Sequence, residues 1–161
     1  QDELAGMLYE NSDEPYAEEI AEEIFKRKKN GNPVKTTTDL RNVIEEALSF
    51  LPKNNELKDI IKKTCKRVFQ ALRIDVNSEF EVLYDFLEKL PLVLKPNGRV
   101  AILTFHSGED RLVKKSFKEG KRNGIYSDIS DVIRPSAEEC RRNGRARSTK
   151  MRWAIRSDLE I

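Results

Sequence analysis

Apolar residues recur every three or four positions through the first half of the chain, and this is the period of amphipathic helices. The longest such pattern predicts a helix from Asn55 to Val76, with apolar residues on one face and lysines and arginines on another. Shorter patterns predict helices over 2–10, from Asp13 to the lysine-rich stretch before Gly31, and from Thr36 or Thr37 to Pro52. Residues 1–76 are therefore predicted to form an all-helical layer.

From residue 77 onward the pattern predicts alternating strands and helices. The apolar run from Arg99 to Phe105 predicts a strand covered on both faces. Residues 126–134 predict a second strand, and residues 150–156, which alternate apolar with polar or small side chains, predict a third with one solvated face. Helices are predicted from Ser78 to about Pro91 and again after the first strand. This part of the chain therefore belongs to the α/β class.

Helix starts are predicted where a short polar side chain can accept a hydrogen bond from a backbone N–H two or three residues later. Ser78, Ser107 and Ser136 each have an acidic residue three positions on, as in a capping box. Asp13 is predicted to begin the second helix. The loop before Ser107 contains His106, the one histidine of the chain, at the carboxyl end of a strand, where open α/β sheets bind their ligands.

The composition is that of an ordinary globular domain, with 161 residues of which 38% are hydrophobic. No apolar run has the length of a bilayer and no signal-peptide pattern is present, so we expect a cytoplasmic protein without a membrane segment. Cys65 and Cys140 are too few and too far apart for a disulfide framework or a zinc site, so no metal site is predicted. The chain begins with Gln1 instead of Met, which indicates a processed or deliberately cut product.

The net charge of +2 conceals an uneven distribution of charge. Residues 1–25 contain nine acidic groups and no Lys or Arg, whereas residues 134–156 contain eight Lys or Arg and two Glu. The two ends of the chain therefore suit different partners, and the basic end is a candidate contact for nucleic-acid phosphates. A solvated surface is the alternative interpretation of this basic run.

Four stretches of the chain resemble the MraW-type ribosomal RNA methyltransferases, and the last of them is matched together with a further segment nearer the C-terminus. They are DELAGMLYENSDEPYAEEIA, NPVKTTTDL, VFQALRIDVNSEFEVL, and GRVAILTFHSGEDRLVKKSF with RPSAEECRRNGRARSTKMR. Enzymes of this family transfer a methyl group from S-adenosylmethionine to N4 of a cytosine in the RNA of the small ribosomal subunit. The resemblance extends over essentially the whole chain.

The resemblance implies a class I, Rossmann-like methyltransferase fold of which this chain is a part. Residues 1–76 would be the helical domain inserted after the fourth strand, and residues 77–161 would contribute the last three strands, in a mixed sheet, with their helices. The glycine-rich loop that holds S-adenosylmethionine has no counterpart, since the seven glycines include no G-x-G. Gly108 stands where the family usually has leucine, Gly144 where it has proline, and Glu18-Glu19 where it is usually basic.

The resemblance also marks three groups of site residues. They are His106, Ser107, Glu109, Asp110 and Arg111 beside the target base, Phe69, Gln70, Arg73 and Asn77 at the junction of the two domains, and Asn143, Arg145, Arg147, Ser148 and Lys150 on the last hairpin. Structural roles compete with these. His106 can serve as a local cap, Asp110 and Arg111 as helix charges in ion pairs, and Arg73 and Asn77 as the end of their helix. For the basic group, phosphate contact is favoured, because cations that neutralise phosphates supply most of the affinity for RNA.

Two functions remain open at this point. The favoured one is methylation of cytosine N4 in small-subunit rRNA, with His106 orienting a flipped base. The alternative is a non-catalytic RNA-binding or ribosome-assembly protein derived from the same fold, and a D-x-T-x-G-x-G-type segment upstream would decide for the enzyme. The strand 99–105 has no charge between Val100 and Phe105, so we expect its free edge either to pair with a second copy in a homodimer or to be covered by the N-terminal helices. A bacterial and an organellar source are equally compatible with the sequence.

Overall fold

The computed structural model describes residues 1–160, which form seven α-helices, one 3-10 helix and three strands. The elements in chain order are α1 (Asp2–Ser12), α2 (Ala17–Lys29), α3 (Thr37–Ala47), α4 (Asn55–Val76), α5 (Glu79–Val93), β1 (Arg99–Thr104), α6 (Ser107–Arg122), β2 (Tyr126–Ile129), α7 (Ala137–Arg142), the 3-10 helix (Gly144–Ser148) and β3 (Lys150–Arg156). They belong to two compact units, a helical unit ending at Asn77 and a sheet unit beginning at Ser78. No helix among the described residues is long and apolar enough to cross a membrane.

The helical unit has a core of side chains from α1 to α4, with Leu8, Ile20, Ile44 and Val68 fully buried. The predicted α4 is confirmed from its first residue to its last, because its apolar row packs into this core. The predicted cap of α3 is also confirmed. The Thr36 hydroxyl accepts a hydrogen bond from the Asp39 N–H, and the Asp39 carboxylate accepts one from the Thr36 N–H.

The prediction for the start of α2 is wrong. Asp13 does not begin this helix but ends α1, in the left-handed conformation with φ 52°. The neighbouring Glu14 is fully buried, where one carboxylate oxygen accepts a hydrogen bond from the Tyr16 N–H and the other accepts one from Arg67 Nε at 2.6 Å. The connection between α1 and α2 is thus fixed by an ion pair between a buried carboxylate and the half-buried Arg67 of α4, which a local capping pattern does not reveal.

In the sheet unit the three strands lie in the order β1-β3-β2, and both neighbouring pairs are antiparallel. The expectation of a mixed sheet is therefore not met by the described strands. Helices α5 and α6 cover one face of the sheet, and the core between them contains Leu87, Leu90, Val113 and Phe117. The second strand is shorter than predicted, since regular pairing ends at Ile129 and resumes only in a bridge between residues 133 and 151.

The predicted faces of β1 and β3 are wrong as well. On β3 the buried side chains are Arg152, Ala154 and Arg156, and not the apolar side chains between them. On β1, Ala101 and Leu103 are exposed, so this strand is covered on one face only. Paired residues of antiparallel strands share a face, so the exposed face of β1 continues into the half-buried apolar residues of β3.

Candidate functional site

The turn between β1 and α6 positions the histidine of the chain. His106 has an extended backbone, and its Nδ1 accepts a hydrogen bond from the Glu109 N–H at 3.4 Å, so His106 is the N-cap of α6. The prediction that Ser107 is the cap is wrong, because Ser107 is the first helical residue and its side chain is exposed. An imidazole nitrogen can replace the oxygen of a serine or aspartate as the capping acceptor, and pattern rules built on those residues overlook it.

The Glu109 carboxylate fixes the other side of this turn. One of its oxygens accepts a hydrogen bond from the Phe105 N–H at 2.9 Å, and the other lies 3.4 Å from His106 Nε2. Since Nδ1 of His106 accepts a hydrogen bond, its proton belongs on Nε2, which faces that carboxylate. The turn therefore holds the imidazole in one orientation and one tautomer at the end of β1.

Glu79, at the start of α5, lies beside this pair. One ligand atom from each of Glu79, His106 and Glu109 lies within 4.8 Å of the other two, and all three side chains are half-buried. Within residues 1–160 this is the group of three side chains that can hold a metal ion, and carboxylate with imidazole is a donor set that zinc accepts. The same arrangement concentrates negative charge next to the imidazole.

Phe80 and Gly108 pack closely at the same turn. A Cβ atom on Gly108 would lie only 2.5 Å from Phe80 Cζ and 3.2 Å from His106 Nδ1, so a larger residue at 108 requires the phenyl ring to move. The ring of Phe80 lies 5.9 Å from the imidazole of His106, between centroids, at 52° to it. Phe80 thus occupies the space that a side chain at position 108 would fill, and it forms one wall of the imidazole site.

Asp110 is buried in the first turn of α6, where it is paired with two cations of β3. Its carboxylate accepts hydrogen bonds from Arg152 Nε at 2.8 Å and Arg152 Nη2 at 3.3 Å, and Lys150 Nζ lies 3.7 Å away. Burial favours a higher pKa for the Asp110 carboxyl, but the hydrogen bond and the charge of Arg152, with the charges of Lys150 and Lys114, outweigh it and hold the pKa below its ordinary value. Asp110 therefore remains ionised and ties α6 to β3.

The basic residues of the predicted last hairpin lie on the 3-10 helix before β3. The Asn143 side chain accepts a hydrogen bond from the Arg145 N–H at 3.1 Å and so begins this helix. Arg145, Arg147 and Ser148 are exposed, whereas Lys150 is half-buried beside Asp110. Two of the three predicted phosphate ligands are therefore accessible as cations, and the third is partly neutralised within the protein.

The remaining predicted residues lie in the helical unit or further along α6. Arg73 and Asn77 are exposed at the end of α4, where the Asn77 N–H donates to the Arg73 carbonyl at 3.1 Å. Phe69 and Gln70 are half-buried on the same helix, and Arg111 is exposed on α6. In the sheet unit the structure thus brings together the turn residues and Lys150, but leaves Arg111 on the surface of its helix.

Sequence reasoning missed two residues that shape this site, Arg152 and Phe80. Alternation along β3 assigned Arg152 to the solvated face, although only 8% of it is exposed. The spacing of Asp110 and Arg152 carries no local signal, because the pair joins residues 42 positions apart. For Phe80 the sequence does contain a signal, which is Gly108. The family usually has leucine at this position, so the glycine leaves a volume that another side chain must fill.

Comparison with known proteins shows which family the chain resembles. A profile described as the MraW methylase family matches residues 1–157. The chain is 68% identical over 159 residues to "Ribosomal RNA small subunit methyltransferase H 1" of Agathobacter rectalis, covering 98% of this chain and 45% of that protein. It is 69% identical over 158 residues to the protein of the same name from Lachnoclostridium phytofermentans, covering 98% and 43%.

A more distant relative is covered to a similar extent. "Ribosomal RNA small subunit methyltransferase H" of Dictyoglomus turgidum is 40% identical over 156 residues, which are 97% of this chain and 49% of that protein. The chain therefore spans about half the length of the curated relatives that it matches. Because the family profile matches almost the whole chain, this protein belongs to the MraW methylase family.

Proposed function

We propose that this chain is the helical insertion and the C-terminal part of an S-adenosylmethionine-dependent methyltransferase that acts on N4 of a cytosine in small-subunit rRNA. The observation that carries the proposal is the family match over residues 1–157, which includes the turn at His106 and the basic 3-10 helix. On this proposal residues 1–76 form the substrate-recognition domain, and residues 77–161 complete a Rossmann-like catalytic core. The relatives' names refer to rRNA of the small subunit, which is the proposed partner.

The turn between β1 and α6 suits a role in holding the target base. The exocyclic amine of cytosine is a weak nucleophile, so such an enzyme works chiefly by aligning N4 with the methyl donor. Both ring nitrogens of His106 face Glu109 and the ring is flanked by Phe80, so on this proposal His106 fixes the shape of the turn that receives a flipped base and does not itself donate to the base. Asp110 has its carboxylate committed to Arg152, so its role here is to position α6 and the turn above it.

The residues of this chain do not fit the nucleoside of S-adenosylmethionine. Among the described places where a strand is followed by a helix, a glycine is found after β1, at the start of α6. This residue is Gly108, and the space beside it is filled by the ring of Phe80. No glycine-lined cradle at a strand end is therefore available there. We infer that the methyl donor binds to segments of the longer relatives that lie outside the region matched by residues 1–161, and that calorimetry on these 161 residues will detect no binding of S-adenosylmethionine.

A chimeric enzyme tests the proposed activity. The matching segment of the Agathobacter rectalis relative is replaced by these 161 residues, and the chimera is incubated with S-adenosylmethionine and small ribosomal subunits from a strain that lacks its own enzyme of this family. We expect N4-methylcytidine in the nuclease digest, identified by mass spectrometry. A folded chimera that leaves the RNA unmodified, or that methylates another atom, contradicts the proposal.

The RNA contact of the basic 3-10 helix is tested on the chain itself. Replacing Arg145 and Arg147 by Ala should weaken binding to a fragment of small-subunit rRNA and reduce the salt slope of the affinity by about 1.4 to 1.8, at about 0.7 to 0.9 per phosphate contact. Lys150→Ala should have less effect, because its ammonium group lies 3.7 Å from Asp110. An unchanged salt slope in the double variant would mean that this segment is a solvated surface.

A further inference from the structure

The helical unit contains an open groove between α3 and α4 with a volume of about 850 Å³. It is separate from the residues assigned above, apart from Phe69 at its end. The wall contributed by α3 includes Arg41 and Glu45, which pair with each other at 3.0 Å and so cancel in charge. The chemistry of the groove is therefore set by the wall contributed by α4.

On α4 a row of three lysines lines the groove. Lys58, Lys62 and Lys66 follow one another at intervals of four residues, so they lie on one face of the helix over about 12 Å of its axis. All three are exposed, and within residues 1–160 none of them forms a salt bridge. Like charges at this spacing repel each other and weaken a helix, so the row has a cost in stability that a bound polyanion removes.

A second row on α4 runs beside the lysines and is apolar. Ile61, Cys65 and Phe69 also follow at intervals of four residues, line the groove and are half-buried. The pKa of the Cys65 thiol is raised by burial, which is consistent with an apolar floor that excludes part of the solvent. The groove thus combines a cationic edge with an apolar floor that includes one aromatic ring.

We propose that this groove binds a single-stranded or loop segment of RNA, with its phosphates along Lys58, Lys62 and Lys66 and a base against the row that ends at Phe69. Proteins bind unpaired RNA by pairing basic side chains that contact the backbone with apolar or aromatic surfaces on which bases stack. The inference rests on the proposed function, which makes RNA the polyanion this protein meets. An acidic protein segment is the competing ligand, and the test below separates the two.

The first test compares two triple variants of equal charge. In Lys58→Ala/Lys62→Ala/Lys66→Ala the groove loses its lysines, and in Lys114→Ala/Lys115→Ala/Lys118→Ala three of the exposed lysines of α6 are lost instead. With a fluorescein-labelled single-stranded 12-nucleotide RNA as probe, the groove variant should lose about two units of salt slope and the α6 variant clearly less. Circular dichroism confirms that both variants are folded, as expected for exposed side chains.

The second test follows the thiol in the floor of the groove. Alkylation of Cys65 by a maleimide, measured by mass spectrometry, should slow at least fivefold when the 12-nucleotide RNA is bound, with N-acetylcysteine in the same mixture as the reference thiol. A 12-residue polyglutamate at the same concentration should leave the rate unchanged.

Three results would overturn the inference. Equal salt slopes for the two triple variants would show that the lysine row is not a specific contact. Equal protection of Cys65 by RNA and polyglutamate would assign the groove to acidic protein segments or to any polyanion. Failure of the unmodified chain to bind RNA at all would remove the groove's ligand and would also contradict the RNA contact proposed above, whereas the first two results leave the proposed methyltransferase function untouched.

Discussion

The pairing of Asp110 with Arg152 has a direct consequence for stability. The two residues are each 8% exposed and share two hydrogen bonds, so removing the carboxylate leaves a guanidinium buried without its main counter-charge. We expect Asp110→Ala to lower the free energy of unfolding by about 3 kcal/mol at pH 7, measured by urea denaturation. The double variant Asp110→Ala/Arg152→Met should recover a large part of the loss, because it removes the unpaired charge as well.

The pH dependence of this effect has a definite sign. The pKa of Asp110 in the folded protein lies below that of the unfolded chain, which is about 3.9. Its contribution is therefore complete above about pH 4 and is lost as the pH falls through the lower pKa of the folded state. The difference in stability between the parent and Asp110→Ala should accordingly shrink in acid below pH 4. A difference that stays constant down to pH 2 would show that the ion pair is not its source.

Two helical glycines give opposite predictions for the same substitution. Gly120 lies in α6 against the ring of Tyr126, and an added Cβ would overlap that ring. Gly6 lies in α1 with nothing within 4 Å of an added Cβ. Gly120→Ala should destabilise the chain by about 1 to 3 kcal/mol through overpacking, whereas Gly6→Ala should stabilise it by up to about 1 kcal/mol through helix propensity. Thermal unfolding of the two variants checks the signs, and a stabilising Gly120→Ala would contradict the packing described here.

At the scale of elements, the helices could be predicted well and the faces of the strands could not. The period of α4 is strong because its apolar row packs into one core, and its limits coincide with the prediction. On β3, in contrast, the buried face contains Arg152 and Arg156. Arg152 is paired with Asp110, and Arg156 donates to the carbonyls of Pro91 and Ile125, so their partners lie far away in sequence. The alternation of apolar and polar residues along a strand shows only which side chains share a face of the sheet. Which of the two faces is buried depends on contacts with residues far away in sequence.

The same limit explains the errors at helix starts. The cap at Thr36 was predictable because donor and acceptor lie three residues apart. Ser78, in contrast, has the sequence of a capping box but lies in the left-handed conformation with φ 50° and makes no side-chain capping bond. His106 takes the capping role at α6 because the shape of the turn after β1 brings its ring over the helix end. The residues of the candidate site are thus marked by resemblance alone and remain a prediction, and their contacts depend on tertiary structure.

The contact of α5 with α6 at Phe80 and Gly108 can be tested as a pair. Gly108→Leu inserts a side chain where Phe80 Cζ lies 2.5 Å from the Cβ position, so we expect a loss of about 1 to 3 kcal/mol in the free energy of unfolding. Phe80→Leu alone should also destabilise, by leaving part of the space empty. Combined, the two substitutions should cost less than the sum of the single variants in a double-mutant cycle. Additive costs would show that the two sites do not share this space.

At the scale of the whole molecule, the sheet of the second unit has a free edge and an open face. β1 is an outer strand of the sheet, hydrogen-bonded to β3 alone among the described strands. Its outward-facing residues include Leu103, which is 57% exposed, and they continue into Trp153 and Ile155 of β3. The one charged side chain of β1 is Arg99 at its first position, and the rest of the strand is uncharged. An outer strand with so little charge is a template for pairing with a second chain.

We therefore expect this chain to form homodimers through β1. Light scattering over a concentration series should show a mass that rises from one chain to two. Leu103→Lys should shift the series toward monomer, because it places a charge on the outer strand without entering the core. Ile102→Lys is unsuitable for this purpose, since Ile102 packs against the core beneath α5 and α6 and a lysine there would unfold the unit. Lys115→Glu, on the exposed surface of α6 and outside the ion pair of Asp110, serves as the matched surface control. A mass of one chain at every concentration, or dimers that persist unchanged in Leu103→Lys, would show that this edge does not pair.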